Sequence, residues 1–139
     1  MTTEEKKAIA NRWAEEVYKN KNLDAVDKLL SPDFTFNYAP PGIEPTREGY
    51  KQNVSAFSSS FPDRQWNTED MIAEGDKVVL RWIGKGTHKG EFMGGSPTGK
   101  EMTITGISII RIKEGKILEE YAEMNMLGVM QQLGIIPSS

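Results

Sequence analysis

Three glutamates near the C-terminal end of the sequence could carry out acid–base chemistry. Glu119, Glu120 and Glu123 lie in an otherwise apolar segment with the alternation of a β-strand. Successive strand residues point to opposite faces, so Glu120 shares a face with Leu118 and Ala122, and the other two glutamates lie opposite. A carboxyl group in a dry pocket has a raised pKa and can act as a general acid or base. Glu120 is therefore the candidate catalytic residue.

Arg81 and Arg111 offer a structural explanation for the same glutamates. Either arginine could pair with a glutamate across the sheet, while the remaining carboxylates face water. Arg81 lies in the apolar segment Val78–Ile83, where an unpaired cation would be costly. It could bind a substrate carboxylate or carbonyl, or form such an ion pair.

His88 is the only histidine and follows a long apolar segment that ends at a glycine-rich loop, residues 90–95. Imidazole can exchange protons near neutral pH, so a position at the mouth of a cavity would suit acid–base work. The alternative is a hydrogen-bonded residue that fixes the loop at the strand end. The larger side chains that could line a pocket, or simply form the core, are Phe36, Tyr38, Trp66, Trp82, Phe92 and Met93.

The composition limits the classes of function. The 139 residues fit a single domain spanning residues 1–139, with 17 basic and 20 acidic side chains and therefore no broad positive field for nucleic acid. Cysteine is absent, and one histidine cannot form a two-histidine metal site, so we expect no metal and no other cofactor. No apolar run approaches the roughly 20 residues of a membrane span. We expect a cytoplasmic protein that does not bind membranes.

The first half of the sequence predicts helices and the second half predicts strands. Capping-box spacing and apolar residues every four positions predict a helix over residues 3–20, a shorter one over 23–30, and a third beginning after Thr46. A strand over residues 34–38 precedes a loop rich in proline and glycine. Strands over residues 66–73 and 77–87 and a long hairpin from residue 100 onwards follow, and then a short C-terminal helix. This order predicts an α+β fold in which a curved antiparallel sheet wraps around the helices.

The final hairpin determines which glutamate faces the interior. We expect a three-residue loop, residues 113–115, that pairs Ser108 with Glu120 and Gly106 with Ala122. A two-residue loop or a β-bulge would reverse the parity and bring Glu119 and Glu123 beside Ser108 instead.

Several short motifs, in order along nearly the whole chain, resemble those of the SnoaL-like polyketide cyclases, also called ester cyclases. They are Ser31-Pro32-Asp33-Phe34, Phe61-Pro62-Asp63, Glu74-Gly75-Asp76-Lys77-Val78-Val79, Gly86-Thr87-His88-Lys89-Gly90-Glu91-Phe92, Pro97-Thr98-Gly99-Lys100 and Gln131-Gln132-Leu133-Gly134. The resemblance implies the cone-shaped α+β barrel of the nuclear-transport-factor-2-like superfamily. It also implies intramolecular aldol cyclisation without metal or cofactor, by an aspartate on the last strand and a histidine on the strand before it.

This chain departs from the family at the positions to which that chemistry would be assigned. The aspartate position falls on Ala122 and the histidine position on Ser108. A second acid found before the last helix in relatives is Asn125 here, and Asn37 stands where many relatives have a histidine. The usual dyad is therefore replaced.

Three hypotheses about function follow from these residues. The first is a cofactor-independent enzyme that acts on a small hydrophobic carbonyl or polycyclic compound, with Glu120 as acid–base, His88 and Arg81 orienting an oxygen, and Ser108 or Asn125 donating a hydrogen bond. The second is a binding domain that holds an apolar ligand unchanged. The third is an interaction module that forms a homodimer through the sheet face carrying Thr105, Ile107 and Ile109.

Overall fold

A computed structural model describes residues 1–137 as an α+β fold, which confirms the fold class inferred from the sequence. The helices are α1 (Thr3–Trp13), α2 (Asp24–Leu29), α3 (Arg47–Ser60) and α4 (Met126–Gln132), and a π-helical segment, Ala14–Lys19, continues α1. The strands are β1 (Leu30–Phe36), β2 (Gln65–Glu74), β3 (Lys77–Thr87), β4 (Glu101–Lys113) and β5 (Lys116–Met124). In the described part of the chain, no helix is long and apolar enough to cross a membrane.

Specific hydrogen bonds mark the start of the N-terminal helix and its change to π-helical geometry. Thr2 and Glu5 form a reciprocal capping box that satisfies two of the free N–H groups of the first turn. After Trp13 the hydrogen bonds lengthen to the π pattern, as in the bond from the Asn20 N–H to the Glu15 carbonyl. Such segments are rare and frequently occur at functional sites.

The five strands form one sheet in the order β1-β5-β4-β3-β2. The pairs β2–β3, β3–β4 and β4–β5 are antiparallel, as expected for consecutive strands. Strand β1 instead runs parallel to β5, so the sheet is mixed and has β1 and β2 as its edges. The expectation of a wholly antiparallel sheet is therefore wrong for β1, because this strand reaches the far edge through the helical segment and not through a hairpin.

The β4–β5 hairpin contains two departures from regular geometry, and their effects on parity cancel. Its turn has two residues, Glu114 and Gly115, both with positive φ, which is the type I′ geometry that glycine favours. One extra residue, Leu118, then forms a bulge between the pairs Arg111–Glu119 and Ile112–Ile117. The three-residue loop expected from the sequence is therefore wrong.

The observed register is two residues away from the expected one. Ile110 pairs with Glu120, and Ser108 pairs with Ala122. Because the shift is an even number, Glu120 keeps the face that the sequence analysis gave it. The same register makes the two positions that the resemblance assigned to a catalytic dyad, Ser108 and Ala122, direct cross-strand neighbours.

The inner face of the sheet packs against the helices to form the core. Alternate residues of β4 are buried from Met102 to Ile112, and Trp13, Val17 and Tyr50 from the helices are also buried. The outer face of β4 remains accessible at Ile107 and Ile109. The core therefore lies on one side of the sheet, and the conical space between sheet and helices holds the cavity described next.

Candidate functional site

An internal cavity lies between the inner face of the sheet and the helices. About 90 Å³ of it is available to water-sized molecules. Its walls are mainly aromatic and aliphatic, with few polar groups, as in ligand-binding cavities. The lining residues are Tyr18, Tyr38, Asn53, Val54, Phe57, Arg64, Gln65, Trp66, Trp82, Gly84, Lys85, Met102, Ile104, Glu120 and Met124.

Glu120 is the carboxyl group of this cavity. It is only 2% exposed, and the Tyr38 hydroxyl donates a hydrogen bond of 2.6 Å to its Oε1. Burial disfavours the charged form and raises the pKa of Glu120 from 4.5 to about 7, although interactions with the hydroxyls of Tyr38 and Ser108 lower it in part. At neutral pH this carboxyl group is therefore present in both protonation states, as a general acid–base requires.

A cluster of tyrosine hydroxyls lies beside Glu120, and two of these residues, Tyr18 and Tyr38, line the cavity. The hydroxyls of Tyr18 and Tyr50 lie 2.5 Å apart, and the Trp13 indole N–H donates to Tyr50 at 3.0 Å. Burial, followed by the charge of nearby Glu120, raises the pKa of Tyr38 well above its ordinary value. These hydroxyls consequently remain protonated at physiological pH, and Tyr38 acts as a hydrogen-bond donor to Glu120.

Stacked aromatic rings form one wall of the cavity. Tyr18 stacks on Trp66 and Trp66 on Trp82, each pair with ring centroids 4.4 Å apart. The Trp82 indole N–H donates a hydrogen bond of 3.0 Å to the Ser108 hydroxyl. Because that oxygen accepts from the indole, its own proton is free to point towards Glu120.

Asn37, which directly follows β1, is hydrogen-bonded to the backbone of β5 at Glu120 and Ala122. The Asn37 N–H donates to the Glu120 carbonyl at 3.3 Å, and the Asn37 side-chain oxygen accepts from the Ala122 N–H at 2.9 Å. Ala122 is buried and Asn37 is exposed at this edge. Neither residue lines the cavity, so the substrate contacts expected of Asn37 and Ala122 are not supported by their positions.

His88 lies outside the cavity lining, beneath the loop of residues 89–100. Its backbone N–H donates to the Lys100 carbonyl at 2.9 Å, and its Nδ1 lies 3.0 Å from the Thr98 hydroxyl. The ring is fully buried against Phe61 and Phe92. These contacts match the structural alternative weighed in the sequence analysis, in which the histidine fixes the loop.

The remaining candidates from the sequence lie away from the cavity. Arg81 is exposed on the outer sheet face, between Asp70 and Ile107. Asn125 caps α4 by accepting from the Gly128 N–H at 2.9 Å. Phe92 packs on Phe57 and Phe61, and Met93 is exposed in the loop.

The other two sequence glutamates also lie away from the cavity. Glu119 accepts a hydrogen bond of 2.7 Å from Arg111, the cross-sheet ion pair expected as an alternative. Glu123 is exposed on the outer face.

Sequence reasoning missed five polar residues of the cavity lining, which are Tyr18, Asn53, Arg64, Gln65 and Lys85. Tyr18 follows the buried Val17, and positions 10, 13, 14, 17 and 18 have the spacing of one helical face, so this pattern could have found it. Arg64 directly follows the Phe61-Pro62-Asp63 motif, and nothing in its local sequence distinguishes it from a surface arginine.

Among residues 1–137, no group of three or more His, Asp or Glu side chains is arranged to hold a metal ion. The described polar groups of the cavity are instead the carboxyl, hydroxyl, amide and cationic side chains given above.

The fold and the cavity define a class of small cone-shaped α+β domains with a buried carboxyl group in the cavity. The sequence model of the SnoaL-like polyketide cyclases matches residues 8–133, so the chain belongs to this family. No curated protein matches the chain significantly.

Solved structures have the same fold over almost the whole chain. TsrD from Streptomyces laurentii is 24% identical with a TM-score of 0.88, and the match covers 98% of this chain and 99% of TsrD. AclR from Streptomyces galilaeus, assigned as a hydroxylase, is 28% identical with a TM-score of 0.87, covering 99% and 86%. A protein of Acidithiobacillus ferrooxidans assigned as a polyketide cyclase is 28% identical with a TM-score of 0.83, covering 97% and 99%.

Proposed function

We propose that the protein is a cofactor-independent enzyme that transfers protons on a small, largely apolar carbonyl compound held in the cavity. The observation that carries this proposal is the buried Glu120, with a pKa of about 7 and a hydrogen bond from Tyr38. A group half-protonated at neutral pH can take a proton from carbon and return it elsewhere. Membership of the SnoaL-like family supports the same class of chemistry.

The proposed reaction starts with removal of a proton from the carbon next to the substrate carbonyl. The Glu120 carboxylate accepts this proton, and the electron pair of the broken C–H bond forms the enolate. The Tyr38 hydroxyl lines the same cavity and donates its single proton to the Glu120 carboxylate before the reaction. As Glu120 becomes protonated, this hydroxyl proton is released and can turn to the developing negative oxygen. Glu120 then returns the proton to another carbon, or to the oxygen of a second carbonyl that the enolate has attacked.

Several residues position the groups around Glu120, and of these Trp82 also lines the cavity. Trp82 holds Ser108, and Asn37 holds the backbone on both sides of Glu120. His88 and Arg81, to which the sequence analysis gave an oxygen-orienting role, do not line the cavity. Tyr38 is therefore the better candidate for that role.

Exchange of substrate hydrogen for deuterium tests the first step without knowledge of the product. Aryl ketones, cyclic ketones and β-keto esters are incubated with the protein in D₂O, and hydrogen exchange next to the carbonyl is followed by NMR. We expect exchange above the buffer rate for at least one compound class, and a loss of about 10² or more in E120Q.

Glu123→Gln is the matched control, because it makes the same chemical change on the exposed face of the same strand. Exchange by E120Q at the wild-type rate would contradict the assignment. A compound that binds without exchange or other chemical change would instead favour the binding-domain hypothesis, which the replaced positions Ser108 and Ala122 left open.

A further inference from the structure

Arg64 is a buried cation in the wall of the cavity. It is 8% exposed, and its guanidinium carbon lies 5.5 Å from the ring centre of Tyr18 and 5.9 Å from that of Phe57. Its Nη2 donates a hydrogen bond of 3.3 Å to the Val17 carbonyl. The aromatic contacts hold the plane of the guanidinium group in one orientation.

The hydrogen-bonding capacity of Arg64 is mostly unused. A guanidinium group has five N–H donors, yet Nη2 is the nitrogen with a protein acceptor among residues 1–137, and the buried Nε lacks one. No carboxylate of the described residues forms an ion pair with it. A buried cation without a counter-charge is unfavourable, so this site is suited to receive an anion.

The surroundings of Arg64 extend this positive character to the surface. Arg64, Gln65, Trp66 and Lys85 line both the cavity and an adjoining surface groove of about 560 Å³. Lys19 also lines that groove, and Glu69 is its acidic member. Arg64 therefore stands where the apolar cavity meets a mainly cationic entrance.

We propose that Arg64 binds a carboxylate group of the substrate, and that the ligand is consequently a hydrophobic carboxylic acid whose apolar part enters the cavity. This inference rests on the proposed function for the identity of the reacting group, but the binding step does not depend on catalysis. A carboxylate matches the fork of guanidinium donors and can form two parallel hydrogen bonds with it. Glu120 has no comparable role in holding the anion, because a second carboxyl group cannot neutralise the first.

Matched acids and esters test this proposal by direct binding. The probes are benzoate, phenylacetate and 2-naphthoate, each compared with its methyl ester by isothermal titration calorimetry at about pH 6, where Glu120 is mostly protonated. We expect at least one acid to bind about tenfold or more tightly than its ester. Arg64→Gln should remove this preference by weakening the acid and leaving the ester unchanged, whereas Arg64→Lys should keep part of it.

Arg81→Gln is the matched control, because it removes one positive charge from the exposed sheet face. It should leave the preference intact, and circular dichroism should establish that each variant is folded. Equal affinity for acid and ester, loss of the preference in R81Q as well, or no binding of any acid would each overturn the proposal.

The two proposals fail in different ways. E120Q should still prefer acids over esters, because the carboxylate is held by Arg64. Acid preference without deuterium exchange would overturn the proposed catalysis and keep the carboxylate site. Deuterium exchange in neutral ketones without any preference for acids would overturn the carboxylate site and keep the proposed catalysis.

Discussion

At the residue scale, the acid–base character of Glu120 comes mainly from burial and is moderated by hydroxyl groups. Burial favours the neutral form, and the interactions with Tyr38 and Ser108 favour the charged form. The result is a carboxyl group near half-protonation at neutral pH. Burial alone would raise the pKa of Glu120 further and leave little carboxylate at neutral pH. The hydroxyl groups alone would lower the pKa and make the carboxylate a weaker base.

The raised pKa of Glu120 predicts a pH-dependent stability that a glutamine variant should lack. The unfolded chain releases this proton near pH 4.5, whereas the folded chain keeps it to about pH 7. Unfolding therefore releases a proton between these values, and stability falls as pH rises through this window and levels off above it. The difference between the folded and unfolded pKa values corresponds to about 3 kcal/mol in the free energy of unfolding.

Urea unfolding of the wild type and E120Q from about pH 4 to about pH 8 measures this effect. The glutamine variant should gain stability relative to the wild type across the window, and E123Q should follow the wild type. Parallel curves for wild type and E120Q would show that Glu120 has an ordinary pKa.

Removing the Tyr38 hydroxyl should raise the pKa of Glu120 further. The 2.6 Å hydrogen bond stabilises the carboxylate, so Tyr38→Phe should shift the pKa upwards by about one unit. A ¹³C NMR titration of the glutamate carboxyl signals would measure the shift. Tyr121→Phe removes a hydroxyl from the exposed face and should leave the titration unchanged; an unchanged titration in Y38F would contradict the role given to Tyr38.

The sequence correctly predicted that Glu120 faces inwards, but the hairpin register on which this prediction was based is wrong. The turn has one residue fewer than expected, and the bulge at Leu118 restores the parity that the shorter turn removes. A bulge depends on how β5 fits β4 and β1 together, which local sequence does not encode. Arg64 escaped prediction for a similar reason, since its burial results from the packing of helices that are distant in sequence.

At the element scale, the placement of the Trp82 side chain over β4 depends on one glycine in the middle of that strand. Gly106 lies opposite Trp82, and a Cβ atom at this position would meet the Trp82 ring at 2.3 Å. The absence of a side chain lets the indole lie flat across β4, where its N–H reaches Ser108. The geometry of the aromatic wall therefore depends on a residue that does not contact the cavity.

Gly106→Ala should destabilise the fold and disturb the aromatic stack. Alanine has no disadvantage relative to glycine in a strand, so the expected loss of about 1–3 kcal/mol comes from displacement of Trp82. Chemical unfolding measures the loss, and near-UV circular dichroism reports on the stacked rings. Thr105→Ala, on the exposed face of the same strand, should leave the near-UV spectrum of the stacked rings unchanged; an unaffected G106A would show that the Trp82 position is not fixed by this contact.

The secondary structure elements themselves were mostly predictable. The capping box, the alternating strands and the glycine-containing turns predicted helices and strands close to those observed. The parallel pairing of β1 with β5 was not predictable from local patterns, because it joins segments separated by most of the chain. That pairing brings Asn37 and Tyr38 beside Glu120 and so completes the candidate site.

At the scale of the whole molecule, the outer face of the sheet carries a row of exposed apolar side chains. Ile72, Val79, Ile109 and Tyr121 form one row across four strands, and three of them are 38% to 59% exposed. The flanking rows carry both charges, as in Asp70, Arg81 and Glu123 on one side. An apolar centre with a mixed-charge rim is typical of a self-complementary interface between two copies.

We propose that two copies associate through this face, which includes the residues Thr105, Ile107 and Ile109 expected from the sequence. Sedimentation velocity at micromolar concentration should then give a dimer for the wild type. Ile109→Glu places a charge in the centre of the row and should give a folded monomer, because a buried unpaired carboxylate is costly.

Met93→Glu, at an exposed methionine in the loop after β3, should remain dimeric. A wild-type monomer, or a dimeric I109E, would exclude this face as the interface. Because the cavity lies against the inner face of the sheet and Ile109 does not line it, I109E should also retain carboxylate binding. The whole molecule would then use its two sheet faces independently, the inner one for a ligand and the outer one for a second copy.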